Sequence, residues 1–183
     1  MKWLILFSWL CMIAEIAGGQ TQTIRLLSQD QKQVAFRDVA QGKPVLVVLL
    51  GTTCPICQKY AGLFAALPEQ YPQIQFVGVF TKWELFEEIA QFKTEYGINF
   101  PLLVDKKHKL IKTLGATTTP EVFLMDGQWR VLYRGAINNW FYALGKARPV
   151  VTENYLRDAL DAFLAGKEIA IKQTKPIGCV VED

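Results

Sequence analysis

Val45-Leu46-Val47-Val48-Leu49-Leu50-Gly51-Thr52-Thr53-Cys54-Pro55-Ile56-Cys57 is the stretch on which the fold turns. Its first six residues are an unbroken run of branched aliphatic side chains, the length and composition of a strand covered on both faces of a sheet. Gly51-Thr52-Thr53 ends that strand. From Cys54 onward Ile56, Tyr60, Leu63, Phe64 and Leu67 recur at spacings of three and four, as one helix face demands, and Pro68 is expected to stop the helix. Strand, tight turn, cysteine and helix therefore follow one another directly.

That placement has chemical consequences. One turn of helix brings Cys54 and Cys57 to the same side, where they can close a disulfide with little backbone movement. The unpaired amides and the dipole at a helix start favour thiolate over thiol, so Cys54 should ionise below the ~8.5 of a free cysteine. Cys54 is the candidate nucleophile, and Cys57, inside the first turn, is placed to attack a mixed disulfide formed on it. Pro55 fits because the first helical turn needs no amide donor there. Two blander uses of the pair compete. A structural disulfide across so short a loop would constrain the unfolded chain very little. Zinc needs two more ligands, and beyond the pair there are only His108 and Cys179, with no second paired motif.

Working outward, residues 74–80 read as a second strand and residues 83–96 as a second amphipathic helix closed by Gly97. Strand, helix, strand, helix implies a parallel first pair. Residues 102–105 form a short extended piece, and residues 109–114 a short helix ending at Gly115. Residues 121–125 and 131–137 are strands joined by Asp126-Gly127-Gln128, which is hairpin chemistry. A last helix covers about 153–164, with Thr152 as its cap and Gly166 as its stop. Residues 167–183 contain Pro176, Gly178 and Cys179 but no sustained period.

The N-terminus reads differently. Met1-Lys2 precedes an apolar run and then Ala17-Gly18-Gly19, the layout of a secretory signal peptide over residues 1–19. The run is shorter than the ~20 residues of a spanning helix and is broken by Glu15, so no stable membrane insertion is expected after cleavage. The remainder divides into a domain over residues 20–166 and a tail over 167–183. Cleavage would leave Cys54, Cys57 and Cys179 in a periplasmic or other extracytoplasmic compartment where disulfides persist. With 51% apolar and 20% charged residues in a chain of 183, one soluble globular core is expected. A net charge of +3 with scattered basic residues leaves no electrostatic footprint for nucleic acid.

Thr52-Thr53-Cys54-Pro55-Ile56-Cys57 after an apolar strand resembles the active site of the thioredoxin superfamily, and Thr118-Thr119-Pro120 before the strand 121–125 resembles the second part of that signature. The likeness implies a three-layer α/β/α fold with a mixed central sheet. It also implies a cis Thr119-Pro120 bond set against the cysteines, with the Thr119 backbone free to pair with an extended substrate strand. The insertion before Pro120, with Phe100-Pro101-Leu102-Leu103-Val104-Asp105 and Tyr133-Arg134-Gly135-Ala136-Ile137, is similar to the exported redoxin branch, the peroxiredoxin-like and TlpA-like proteins. The implied activity is thiol–disulfide oxidoreduction on protein thiols and disulfides with an unidentified redox partner, through the Cys54–Cys57 couple and without a further cofactor. Thr53, Pro55, Glu121 and Cys179 are its auxiliary candidates.

The departures are as informative. Thioredoxin and many exported relatives keep a buried carboxylate on the central strand, where this chain has Val47, Val48 and Leu49; proton transfer must use water, a residue from elsewhere such as Glu121, or be slow. Peroxiredoxins place a threonine three residues before the peroxide-reactive cysteine, where this chain has Gly51, so peroxidase activity is the weaker reading. Cys179 is read two ways, as a resolving, relay or copper-coordinating thiol or as an uninvolved tail cysteine. His108, among Lys106, Lys107 and Lys109, reads as a solvated surface residue. Trp140, Phe141 and Tyr142 read as packing or as a lip for a partner protein. A rival from another class is a copper protein resembling the Sco-type assembly factors, since thiolates suit Cu(I). Those factors usually space their cysteines by three residues and place a histidine later in the chain.

Overall fold

The structure is a computed structural model that describes Thr21 and residues 23–181; the expected signal peptide over residues 1–19 lies outside the described residues. The aliphatic run forms β3 (Val45–Leu50), buried at every position, and the helix after the cysteine forms α2 (Pro55–Gln70). Around them stand β1 (Arg25–Leu27), β2 (Gln33–Ala35), α1 (Phe36–Ala40), β4 (Gln75–Thr81), α3 (Phe86–Glu95), β5 (Leu102–Asp105), α4 (Lys109–Leu114), β6 (Thr118–Thr119), β7 (Glu121–Met125) and β8 (Val131–Gly135). The chain continues through β9 (Phe141–Ala143), β10 (Lys146–Ala147), α5 (Tyr155–Leu164) and β11 (Cys179–Val180).

Seven strands make one mixed sheet in the order β2-β1-β5-β4-β3-β7-β8. β3, β4 and β5 run parallel, as the strand-helix alternation requires, while β7 returns antiparallel beside β3 with Leu49 opposite Glu121. The pleat divides the core. Leu46, Val48, Leu50, Phe76, Phe80, Val122 and Leu124 pack with Cys57, Tyr60 and Phe64 of α2, Ile89 of α3 and Leu156 of α5. Val45, Val47, Leu49, Val77, Val79, Phe123 and Met125 pack on the other face with Phe36 of α1 and Leu110 and Ile111 of α4. Helices therefore cover both faces of a central mixed sheet, the α/β/α architecture the sequence predicts.

Three local expectations are corrected. The cysteine-bearing helix runs through Pro68 and ends at Gln70, with Tyr71 N–H bonded to the Leu67 carbonyl. A proline so near the C-terminus forfeits one backbone bond, and burial of Leu67 and Tyr71 in the core offsets it. The second helix begins at Phe86, not at 83, because Glu84 turns back toward Thr52. Thr152 does not cap the last helix: Asn154 holds that position without a side-chain bond, and the Thr152 hydroxyl accepts from Asn139 Nδ2 at 2.7 Å. The sequence reading also passed over the β1–β2 hairpin, whose strands of three residues are too short to show a period.

Candidate functional site

The site forms where β3 gives way to α2. Cys54 is the N-cap of α2 and Pro55 its first helical residue, so the sulfur sits among the unpaired amides of a 16-residue helix. Gly51 N–H, in the turn before it, donates to Cys57 Sγ at 3.4 Å. A side chain at Gly51 would be tightly placed: its Cβ would lie 3.3 Å from Cys54 Cβ and 3.4 Å from Thr119 Oγ1. On the far side the Thr119–Pro120 peptide is cis, and the Thr119 carbonyl lies 3.2 Å from Cys54 Sγ. The turn and the cis-proline loop thus clasp one sulfur between them.

Cys54 and Cys57 occupy opposed electrostatic situations. Hydrogen bonding from Cys57, first, and from Cys179 stabilises the Cys54 thiolate against burial and brings its pKa down to about 4. Cys57, fully buried, is pushed well above the ordinary thiol value by burial, and then by its hydrogen bond to Cys54 and by that residue's negative charge. One sulfur is an anion at neutral pH and its neighbour holds a proton for it.

Cys179 belongs to this site. Strand β11 pairs antiparallel with β6, Cys179 opposite Thr119 and Val180 opposite Thr118, and Cys179 Sγ lies 2.7 Å from Cys54 Sγ. The Thr119 backbone, expected to be free for a substrate strand, is occupied by the chain's own tail. Burial, then the hydrogen bond to Cys54 and its charge, push the Cys179 thiol up to about 12. Beneath the tail, only 3% of Cys54 remains exposed. A cleft of about 220 Å³ opens beside it, lined by Thr53, Trp83, Glu84, Val180 and Val181 among others. Thr53 and Pro55 are exposed at the rim.

Glu121 lies at the other side of the sheet. Alternation along β7 puts it with Phe123 and Met125, on the face away from Cys57. Its carboxylate accepts from Arg134 Nη2 at 3.0 Å and from Thr117 N–H at 3.0 Å. It braces the loop that carries Thr119 and is turned away from the thiols. The carboxylate beside the cysteine turn is Glu84, which accepts from the Thr52 amide at 3.3 Å and from the Thr52 hydroxyl. Sequence reasoning missed it, because the contact joins two turns 32 residues apart with no motif around Glu84.

His108 is corrected from surface to interior. It is 2% exposed, starts α4 in a left-handed conformation, and its Nε2 accepts from Lys82 N–H at 3.3 Å. Trp140 and Phe141 pack their rings against Tyr60 of α2, at 5.3 and 5.7 Å between centroids, so these two serve packing, while Tyr142 is exposed. Among the described residues no group of three or more His, Cys, Asp or Glu is arranged to hold a metal ion, and none of their helices is long and apolar enough to cross a membrane.

Known proteins resemble the chain in sequence and in fold. The thiol-disulfide oxidoreductase ResA of Bacillus anthracis is 30% identical over 119 residues, 63% of this chain and 66% of that protein. The thiol:disulfide interchange protein DsbE of Pasteurella multocida is 29% identical over 120 residues, 64% of this chain and 65% of its own length. The chain thus spans just under two thirds of these relatives. An uncharacterized conserved protein from Geobacillus kaustophilus superposes with a TM-score of 0.75 at 25% identity, over 88% of this chain and 90% of that one. A secreted disulfide oxidoreductase of Mycobacterium tuberculosis, homologous to E. coli DsbE, shares the fold with a TM-score of 0.54 at 17% identity, over 61% of this chain and 81% of that one. Residues 17–134, well over half of the chain, match the AhpC/TSA family; with the thioredoxin-like architecture and the cysteine turn at the head of α2, the chain belongs to that family, in the redoxin branch of the thioredoxin superfamily.

Proposed function

We propose that this protein is a thiol–disulfide oxidoreductase in which Cys54 attacks and Cys57 resolves. The observation that carries this reading is the pairing of an anionic Cys54 at a helix N-terminus with a protonated, buried Cys57 one turn along. The Cys54 thiolate attacks a substrate disulfide; a Cys54–substrate bond forms, the substrate bond breaks, and one substrate thiolate leaves. Cys54 is then neutral. Two of the causes that held Cys57 protonated, its bond to the Cys54 thiolate and that charge, vanish together, while the Gly51 amide remains to stabilise a Cys57 thiolate. Cys57 gives its proton to the departing thiolate and attacks Cys54 Sγ, closing Cys54–Cys57 and releasing the second substrate thiol. Two electrons pass from the protein to the substrate, and the steps reverse for oxidation. No carboxylate on the central strand is needed, because ionisation of the inner thiol is gated by the charge on the outer one.

Protein thiols or disulfides fit as substrates because the Thr119 backbone beside the cis-proline already pairs with an extended strand, the chain's own tail, whose place a substrate strand could take, and Trp83 adds an exposed apolar wall to the cleft. The couple works without a bound cofactor. A peroxidase reading has less support, since the residue three before Cys54 supplies a backbone amide to Cys57 and no hydroxyl. Export to an extracytoplasmic compartment is inferred from the basic start, apolar run and small-residue exit of residues 1–19. The test is insulin reduction driven by dithiothreitol. Cys54→Ser abolishes it, and Cys57→Ser combined with Cys179→Ser, which removes the other thiol beside Cys54, accumulates a mixed disulfide on Cys54; full activity in both variants overturns the proposal.

A further inference from the structure

We infer that residues 178–181 are a built-in substrate strand and that Cys179 is a third exchanging thiol, which trades places with Cys57 as the partner of Cys54. The inference rests on the reading of Cys54 as nucleophile and adds to it a second disulfide that the oxidised chain can hold. The family match covers residues 17–134 and does not include this tail.

Independent features converge on it. The tail takes the antiparallel register at Thr119 that an extended substrate would take, with its cysteine opposite the residue before the cis-proline. Its sulfur comes to 2.7 Å from Cys54 Sγ, in direct contact with it though longer than the ~2.05 Å of a bond. The approach demands a glycine, since a Cβ at Gly178 would fall 1.9 Å from the Thr119 carbonyl oxygen and 2.9 Å from Thr118 Cγ2. Further back the tail is fastened to β8. Thr174 N–H donates to the Arg134 carbonyl at 3.1 Å, Ala136 N–H donates to Thr174 Oγ1 at 2.9 Å, and Tyr133 Oη shares a bond with that hydroxyl at 2.7 Å. A cysteine delivered by so many fixed contacts is positioned for exchange.

The chemistry needs no external reagent. In the oxidised chain the Cys179 thiolate attacks Cys54 Sγ of the Cys54–Cys57 disulfide. A Cys54–Cys179 bond forms, the Cys54–Cys57 bond breaks, and Cys57 leaves as a thiolate that takes up the proton Cys179 gave. The oxidation state of the chain is unchanged. With Cys54 neutral in the disulfide, the bond to its thiolate and the charge that hold Cys179 protonated are gone, leaving burial alone. A protein substrate must displace the tail to reach Thr119, so the tail also selects for strands that compete with it: extended, and without a side chain just before the cysteine.

The test uses the full chain carrying Cys57→Ser, reduced and then treated with oxidised glutathione, with disulfides mapped by mass spectrometry after acid quench. The expected result is an intramolecular Cys54–Cys179 disulfide in most molecules, formed at least tenfold more slowly when Gly178→Ala is added. Glutathione that stays on Cys54 while Cys179 alkylates freely, or Cys179 found only in links between chains, overturns the third thiol while leaving Cys54 as nucleophile. No adduct on Cys54 at all overturns the underlying reading instead. Alkylation of reduced wild-type chain gives a second check. Iodoacetamide should modify Cys54 about tenfold faster in Gly178→Ala than in wild type, and equal rates count against a tail that fills the groove.

Discussion

Replacing Cys179 by alanine tests the electrostatics of the site with little change to its backbone. The substitution keeps β11 and its pairing to Thr119 but removes the thiol that lies 2.7 Å from the Cys54 sulfur. A hydrogen bond to a charged group contributes about 1.5–3 kcal/mol, and a thiol, as a weak donor, belongs at the lower end. At about 1.36 kcal/mol per pKa unit, its loss raises the Cys54 midpoint by about one unit, from about 4 to about 5. Cys57→Ala should raise it further, because the Cys57 bond is the larger cause. Thiolate absorbance at 240 nm, followed from acid to neutral pH in the reduced protein, reads the midpoint directly, and the iodoacetamide rate against pH gives an independent value. A Cys179→Ala midpoint equal to or below that of wild type refutes the assignment of that thiol as donor. A wild-type midpoint near the ordinary thiol value refutes the electrostatic account of the whole site.

Other outcomes follow from the same geometry. The depressed Cys54 pKa makes the native reduced state bind one proton fewer than the unfolded chain between about 4 and 9. Folding stability of the reduced protein should therefore rise with pH across that window, by up to about 1.36 kcal/mol per unit, and Cys54→Ala should lack this component in denaturant titrations at several pH values. A stabilised thiolate favours the reduced form, so the couple should be more oxidising than thioredoxin's roughly −270 mV when equilibrated against glutathione buffers; a more negative value contradicts the low pKa. Arg134→Met leaves Glu121 buried without its ion partner and should cost about 3 kcal/mol in urea unfolding, a loss below about 1 kcal/mol showing that the pair does not brace the loop. Gly51→Val drives a branched side chain between Cys54 and Thr119 and should slow insulin reduction at least tenfold, whereas wild-type rates would mean the clasp is looser than its contacts imply.

Much of this was readable in the sequence where the physics is local. The run 45–50, the three- and four-residue spacing after Cys54 and the glycines at 97, 115 and 166 each report on neighbours along the chain, and the strands and helices they predict are present with ends shifted by a few residues. What escaped or stayed open depends on partners distant in sequence. Glu84 meets Thr52 through two turns with no motif to announce it, and Cys179, which the sequence left between a relay thiol and an uninvolved tail cysteine, meets Cys54 across 125 residues. Gly178 was the single written sign of the second contact, since only a residue without a side chain can pass the Thr119 carbonyl so closely. His108 misled because the charge of its neighbours says nothing about the direction of a side chain set by a left-handed backbone at a helix start. Glu121 misled for a related reason: proximity to Pro120 in the chain does not fix the face of a pleated strand, and one residue of register separates the two sides of the sheet.

The tail also acts as a hem. β8 is one of the two edge strands of the sheet, and a strand in that place offers a row of unpaired amides and carbonyls to any other chain. Residues 172–174 run along it, bridging Arg134 to Gln173 and taking up the Arg134 amide and carbonyl. Cutting the chain after Gly166 would strip this border in the same stroke that bares Cys54, inviting sheet-to-sheet stacking and cross-linking of one copy to the next. Clipped protein should therefore form particles that neither reductant nor salt alone dissolves.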